Sequence, residues 1–233
     1  MKTFGKMIQI AGVMDMAEAR LLAAAGVTHL GFPLRLPVHR EDLSDAEAAA
    51  IIARLSPSVG AVLITYLDEA PDVAGLCRRL GVRIVQLHGR ISPAEVFRLR
   101  RIAPELAVIK SVIVKDSHLG KVGAEVLNYA PLVDAFITDS WDPATGACGA
   151  TGRVHDWDVS RQLAELSPKP LILAGGLGPE NVRQAIIQVR PAGVDAHTGV
   201  ERPDGRKDEK RVRSFVEEAR AAFRELDAAR DRG

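Results

Sequence analysis

Two runs decide the fold: Leu171-Ile-Leu-Ala-Gly-Gly-Leu-Gly-Pro-Glu-Asn-Val182 and, after a helical segment, Gly193-Val-Asp-Ala-His-Thr-Gly-Val-Glu201. Each has the same grammar: a short apolar segment that reads as a buried strand, then glycines that let the backbone approach something closely, then polar residues that open a helix. Two such corners side by side make a pocket of backbone N–H donors. A phosphate suits that pocket, because helix N-termini carry unpaired donors and a partial positive charge. In a parallel eight-stranded barrel, the loops after strands seven and eight are a common place for it.

Outward from those runs, strand-like and helix-like segments alternate along the chain. Met7 to Val13 is an apolar run, and Asp15 with Glu18 opens an alanine- and leucine-rich helix that Gly26 ends. His29 to Leu34, Val59 to Tyr66, Ile84 to Leu87, Leu106 to Val114 and Ala135 to Thr138 read as strands two to six. Ser44 with Glu47 caps a helix over Ala46 to Leu55, and Gly81 stops another over Pro71 to Leu80. Ser92-Pro93-Ala94-Glu95 supplies a cap, a proline at the first helical position and a capping acid, and Ser117 to Tyr129 is a fifth helix. A glycine-rich loop to Gly152 precedes a helix around Asp158 to Leu166, and Pro179 to Val189 follows strand seven. The last helix carries Val212, Phe215, Val216, Ala219, Phe223 and Leu226 on one face. Eight strand-helix units, with strands apolar on both faces, predict an α/β fold: one (β/α)8 barrel domain over residues 1–233. A doubly wound open sheet is the alternative, but Ala11-Gly12-Val13 is not a dinucleotide fingerprint.

Composition narrows the partners. A formal net charge of +1 on 233 residues, with basic and acidic side chains interspersed, argues against a nucleic-acid or membrane-surface role. Aromatic residues make up only 4%, too few for base-stacking platforms. Cys77 and Cys148 are the only cysteines, which excludes a disulfide framework or a thiolate metal site and points to a reducing, cytoplasmic setting. No run approaches the roughly 18 apolar residues of a membrane span, and the N-terminal apolar run is too short for a signal peptide. The expected partner is a phosphorylated small molecule, with no metal and no cofactor, bound by a monomer or homodimer.

In such a barrel, functional side chains sit where strands meet the following loops. Those exits present Ala11, Arg35 to Arg40, Thr65, His88, Lys110, Asp139, Gly175-Gly176 and Asp195 to Thr198. Most have an equally plain structural reading. His88 suits a satisfied structural histidine, Lys110 a buried lysine paired with a carboxylate, Asp195 a carboxylate ordering the strand-eight turn, and Arg40 a surface charge. Asp139 stands apart. At the end of the apolar run Ala-Phe-Ile-Thr it would be partly desolvated, which raises a carboxyl pKa and suits a general acid.

These elements together resemble the phosphoribosylanthranilate isomerase family along nearly the whole chain. The resemblance rests on Leu30-Gly31-Phe32, Arg40, Gln86-Leu87-His88-Gly89, Val108-Ile109-Lys110, Thr138-Asp139-Ser140 and Gly149-Ala150-Thr151-Gly152 with Asp156-Trp157. It extends to Leu173-Ala174-Gly175-Gly176-Leu177, Pro179-Glu180-Asn181-Val182, and Thr198-Gly199-Val200-Glu201 with Gly205, Lys207 and Asp208. It implies an Amadori rearrangement of an N-linked phosphoribosyl substrate. The acid would be Asp139; Arg40 would face the substrate carboxylate, with Gly152 and Asp195 as further substrate contacts. The phosphate would lie on Gly175, Gly176, Thr198 and Gly199.

The departures cluster at one rim. Where the family has Lys-Ile-Cys-Gly the chain reads Gln9-Ile10-Ala11-Gly12, so the cysteine base is replaced by a methyl group. Thr65 replaces an asparagine, Arg153 a lysine, and His197 a serine. Three readings follow: an isomerase with another base, His197 first, His88 second and Cys148 third; an enzyme acting on a different phosphorylated substrate through Asp139 and His197; or a phosphosugar-binding protein without turnover.

Overall fold

The computed structural model describes residues 4–37, 41–114, 119–140 and 156–230. Eight strands alternate with eight helices: β1 (Met7–Ala11), α1 (Met16–Ala24), β2 (His29–Leu34), α2 (Asp45–Ile52), β3 (Gly60–Thr65), α3 (Ala70–Leu80), β4 (Ile84–Leu87) and α4 (Pro93–Ile102). The second half continues as β5 (Ala107–Val114), α5 (Leu119–Tyr129), β6 (Ala135–Ser140), α6 (Trp157–Leu166), β7 (Leu171–Leu173), α7 (Val182–Val189), β8 (Gly193–Ala196), a 3-10 turn (Thr198–Val200) and α8 (Glu209–Arg230). All neighbouring strands are parallel, and β8 pairs back onto β1 to close the barrel. The expected barrel is therefore what forms, and the open sheet is excluded.

Strand alternation divides the apolar side chains between two cores. One fills the barrel axis with Phe4, Met7, Ala11, Val62, Ile64, Ala107, Ile109, Ala135, Ile137, Ile172 and Ala174. The larger lies between the sheet and the helices, where α8 contributes Val212, Phe215, Val216, Ala219 and Phe223, the face read from the sequence. Lys110, between inward Ile109 and Ser111 on β5, points outward into this second layer. Its Nζ donates to the Gly89 and Ser111 carbonyls at 3.2 and 2.7 Å and lies 5.5 Å from the Tyr129 ring centroid. Burial lowers its pKa, partly offset by Glu125 at 4.0 Å. This is the structural lysine of the plain reading.

The helix signals worked with instructive exceptions. Ser44 and Glu47 form the full reciprocal box on α2. Ser92 caps α4, but Glu95 turns away to accept the Ala70 N–H at 2.7 Å, capping α3, whose own cap residue Glu69 makes no side-chain bond. Asp15 likewise caps α1 while Glu18 accepts from Met14 N and from Lys207 N, tying the β1 exit to the segment before α8. Of the boundaries that moved, three bear on the barrel mouth. β1 stops at Ala11 because Gly12 turns to φ +80°. β6 continues through Asp139, which places that carboxyl inside the strand rather than beyond it. α7 begins at Val182, not Pro179, because Asn181 pins the preceding loop, accepting from Gly178 N and donating to Gly176 O. Among the described residues no helix is long and apolar enough to cross a membrane.

Candidate active site

The C-terminal mouth of the barrel has two chemically distinct walls. On the β4–β6 side, Asp139 is 6% exposed and its Oδ2 lies 2.8 Å from His88 Nε2. His88 in turn places Nδ1 2.9 Å from Ser111 Oγ, while its backbone N–H donates to Thr65 O. The Tyr66 ring meets the imidazole edge-on, with centroids 4.7 Å apart. A carboxyl held this way by an imidazole can store and release a proton with little rearrangement.

On the β8–β1 side, Ala11 offers only a methyl group to the barrel mouth. Its register neighbour beyond β8 is His197, whose ring points its Nε2 end at Gly12: a Cβ built on Gly12 would fall 2.3 Å from His197 Nε2. Position 12 thus requires glycine twice over, for its positive φ and for the histidine beside it. His197 Nε2 sits 3.2 Å from Glu201 Oε1, and Glu201 also receives the buried Lys207 ammonium at 2.6 Å. A carboxylate anchored by a lysine and aimed at an imidazole is the arrangement that orients a histidine base and stabilises its protonated form.

Between the walls, one layer deeper, Asp195 pairs in register with Gln9, and Gln9 Nε2 donates to Gln86 Oε1 at 3.0 Å. Burial pushes Asp195 up to about 7, opposed by a hydrogen bond from Gln9 and reinforced by the Asp139 charge; Lys207 and His88 pull it back. Asp195 thus lies within electrostatic reach of Asp139 and His88, a neighbourhood that neither sequence reading of it, a carboxylate ordering the strand-eight turn or a substrate contact, included.

The glycine corners lie side by side at the β7 and β8 ends. Gly175 and Gly176 adopt φ +104° and +63°, a geometry open to glycine. A Cβ on Gly199 would lie 2.0 Å from Leu177 O, and one on Gly178 would lie 3.1 Å from Gly199 O, so the two turns touch backbone to backbone. Arg211 fastens the contact from α8, donating to Gly199 O from Nε and Nη2 at 3.0 and 2.8 Å. Gly175, Gly176 and Gly199 remain partly accessible and Thr198 is exposed, so the rim of the corner faces the mouth.

The structure thus brings Asp139, His88, Asp195, His197, Thr198 and the three glycines to one end of the barrel. Arg40, Gly152 and Cys148 lie outside the described residues. Thr65 is buried and its Oγ1 accepts from Leu67 N at 3.3 Å, a local turn contact at the end of β3. Sequence reading missed Ser111, Gln9, Gln86 and Glu201 as members of the site. Alternation would have found Gln9, Gln86 and Ser111, since each is a polar residue on the inward face of an apolar strand. Among the described residues, no group of three or more histidine, cysteine or carboxylate side chains is placed to hold a metal ion.

Residues 8–218 match the family described as N-(5'phosphoribosyl)anthranilate (PRA) isomerase. The chain belongs to the PRA isomerase family. It is 36% identical over 221 residues to N-(5'-phosphoribosyl)anthranilate isomerase 2 of Methanosarcina mazei, covering 93% of this chain and 95% of that one. It is 37% identical over 220 residues to the isomerase of Desulforudis audaxviator, covering 93% and 99%. Among solved structures, phosphoribosyl anthranilate isomerase from Thermotoga maritima superposes with TM-score 0.79 at 29% identity, covering 93% of this chain and 99% of that one. A PRA isomerase structure in complex with reduced 1-(o-carboxyphenylamino)-1-deoxyribulose 5-phosphate matches with TM-score 0.76 at 28% identity, again over 93% and 99%.

Proposed function

We propose that the protein isomerises N-(5'-phosphoribosyl)anthranilate to the corresponding aminoketose, with His197 as base in place of the family's cysteine. The observation that carries this is the pair of walls: a buried carboxyl 2.8 Å from His88 on one side, and an imidazole beside Ala11 and Glu201 on the other. Asp139 donates its proton to the ribose ring oxygen as the C–O bond breaks, opening the sugar to a Schiff base. His197 then takes the proton from the second sugar carbon, and the resulting enol rearranges to the ketose. Glu201, anchored by Lys207, stabilises the imidazolium formed in that step. The rim at Gly175, Gly176, Thr198 and Gly199 holds the phosphate through backbone donors, and Asp195 lies in the floor below the sugar.

All of these residues belong to one chain, so a monomer or a homodimer can carry the site. A reducing, cytoplasmic location fits the buried Cys77 thiol, pushed up to about 12 by burial. The methyl group of Ala11 favours a second reading, a phosphosugar-binding protein without turnover. Incubating the purified protein with phosphoribosylanthranilate separates the two. The isomerase reading expects steady conversion to the aminoketose that Asp139→Asn abolishes; saturable binding with no conversion would establish the second reading instead.

A further inference from the structure

His88 stands between side chains on two other strands, Ser111 on β5 at 2.9 Å from Nδ1 and Asp139 on β6 at 2.8 Å from Nε2. Its backbone bond to Thr65 O and its edge contact with Tyr66 fix the ring from two further directions. A neutral imidazole carries one N–H, so the role of Ser111 decides what Asp139 holds. If Ser111 donates to Nδ1, then Nε2–H donates to an ionised Asp139, and the carboxyl has no proton to give. If Ser111 accepts from Nδ1–H, Nε2 is the basic nitrogen, and its short contact with Asp139 requires a proton between them. The two arrangements differ by one proton in the trio.

We propose that Ser111 is a positioning residue: it accepts from His88 Nδ1–H and so fixes the tautomer that keeps one transferable proton between His88 Nε2 and Asp139 Oδ2. Ser111 is only 3% exposed, which shields this choice from competing water. The Asp195 carboxyl lies within electrostatic reach of both Asp139 and His88. Lys207 is the opposing cation, but its ammonium is committed to Glu201 at 2.6 Å. The amides of Gln9 and Gln86 add no charge to the floor. Ser111 lies outside the motifs that mark the family resemblance, and its hydroxyl is legible only once β4 and β5 are side by side.

The consequence for catalysis rests on the isomerase reading; the tautomer itself does not. The test is nitrogen-15 NMR of histidine-labelled protein, with His88 assigned by His88→Gln, alongside steady-state kinetics on phosphoribosylanthranilate. The expected result is a His88 ring protonated at Nδ1 in the unmodified protein. Ser111→Ala should lose that preference and lower kcat by about 10-fold to 100-fold with KM unchanged, and Ser111→Thr should restore both. A wild-type ring protonated at Nε2 with a bare Nδ1 would overturn the proposal, as would Ser111→Ala leaving both tautomer and kcat unchanged. If the Nδ1–H tautomer is found in a protein with no turnover, the isomerase reading fails while the hydrogen-bond assignment stands.

Discussion

The two walls of the barrel mouth are built on different terms. The β4–β6 wall stands on adjacent paired strands, whose register brings His88 together with Ser111 from β5 and Asp139 from β6. The β8–β1 wall hangs on the turn after β8, held by a chain of ion pairs from Lys207 through Glu201 to His197. Motifs of the family resemblance lie on both walls, Gln86 to Gly89 and Thr138 to Ser140 on the first and Thr198 to Glu201 with Lys207 on the second, while Ala11 and His197 both fall on the second. In the proposed isomerisation, proton donation to a ring oxygen demands a carboxyl in one place, whereas a proton can be taken from carbon by any base that reaches it. A turn can exchange that base without disturbing the sheet.

The largest effect expected from breaking this contrast is at the acid. Asp139→Asn keeps the shape of the side chain and removes the proton, and should cost about 100-fold to 10,000-fold in kcat. The loss should be insensitive to added imidazole, checked by steady-state kinetics. At the glycine rim, Gly199→Val must push a side chain into Leu177 O, 2.0 Å from the Cβ position. It should weaken inorganic phosphate binding at least 10-fold by calorimetry; unchanged affinity would locate the anion elsewhere.

Two smaller effects concern pH and stability. His29, at the start of β2, is pushed down to about 4 by burial, with Nδ1 2.9 Å from Thr28 Oγ1 and its ring against Gly60. The unfolded chain takes up this proton near pH 6.5 and the folded chain only near 4, so stability must fall as pH drops through that window. The shift corresponds to roughly 3 kcal/mol, and His29→Gln should flatten this part of a denaturant-midpoint profile. Asp195 has the opposite sign. Its folded pKa, about 7, lies above the ordinary 3.8, so the folded state binds the extra proton between those values and stability falls as pH rises through them. Asp195→Asn should therefore gain stability relative to the parent at pH 8 compared with pH 4, read by thermal melts at the two pH values.

The fold could be read from the chain because its signals are local. Strand runs, the Ser44–Glu47 box and the positive-φ stop at Gly81 each lie within a few residues. Where a signal was spent on a spatial neighbour, reading along the chain misassigned it. Glu95 looks like the acid of its own helix and caps α3; Glu18 looks like a box and ties down Lys207. The site divides the same way. Asp139 and the glycines are visible from strand ends, but Ser111–His88, Gln9–Gln86 and His197–Glu201 exist only after the barrel closes. Gln9 and Gln86 are 77 residues apart and meet across the barrel interior.

The contrast between the walls is tested most directly by moving the base from one residue to the other. The measurement is kcat for phosphoribosylanthranilate in the parent, in His197→Ala, and in His197→Ala combined with Ala11→Cys. The account predicts turnover in the parent, a loss of at least about 100-fold in the single variant, and recovery when a thiol is placed on β1 beside the vacated ring. Undiminished turnover in His197→Ala would contradict it.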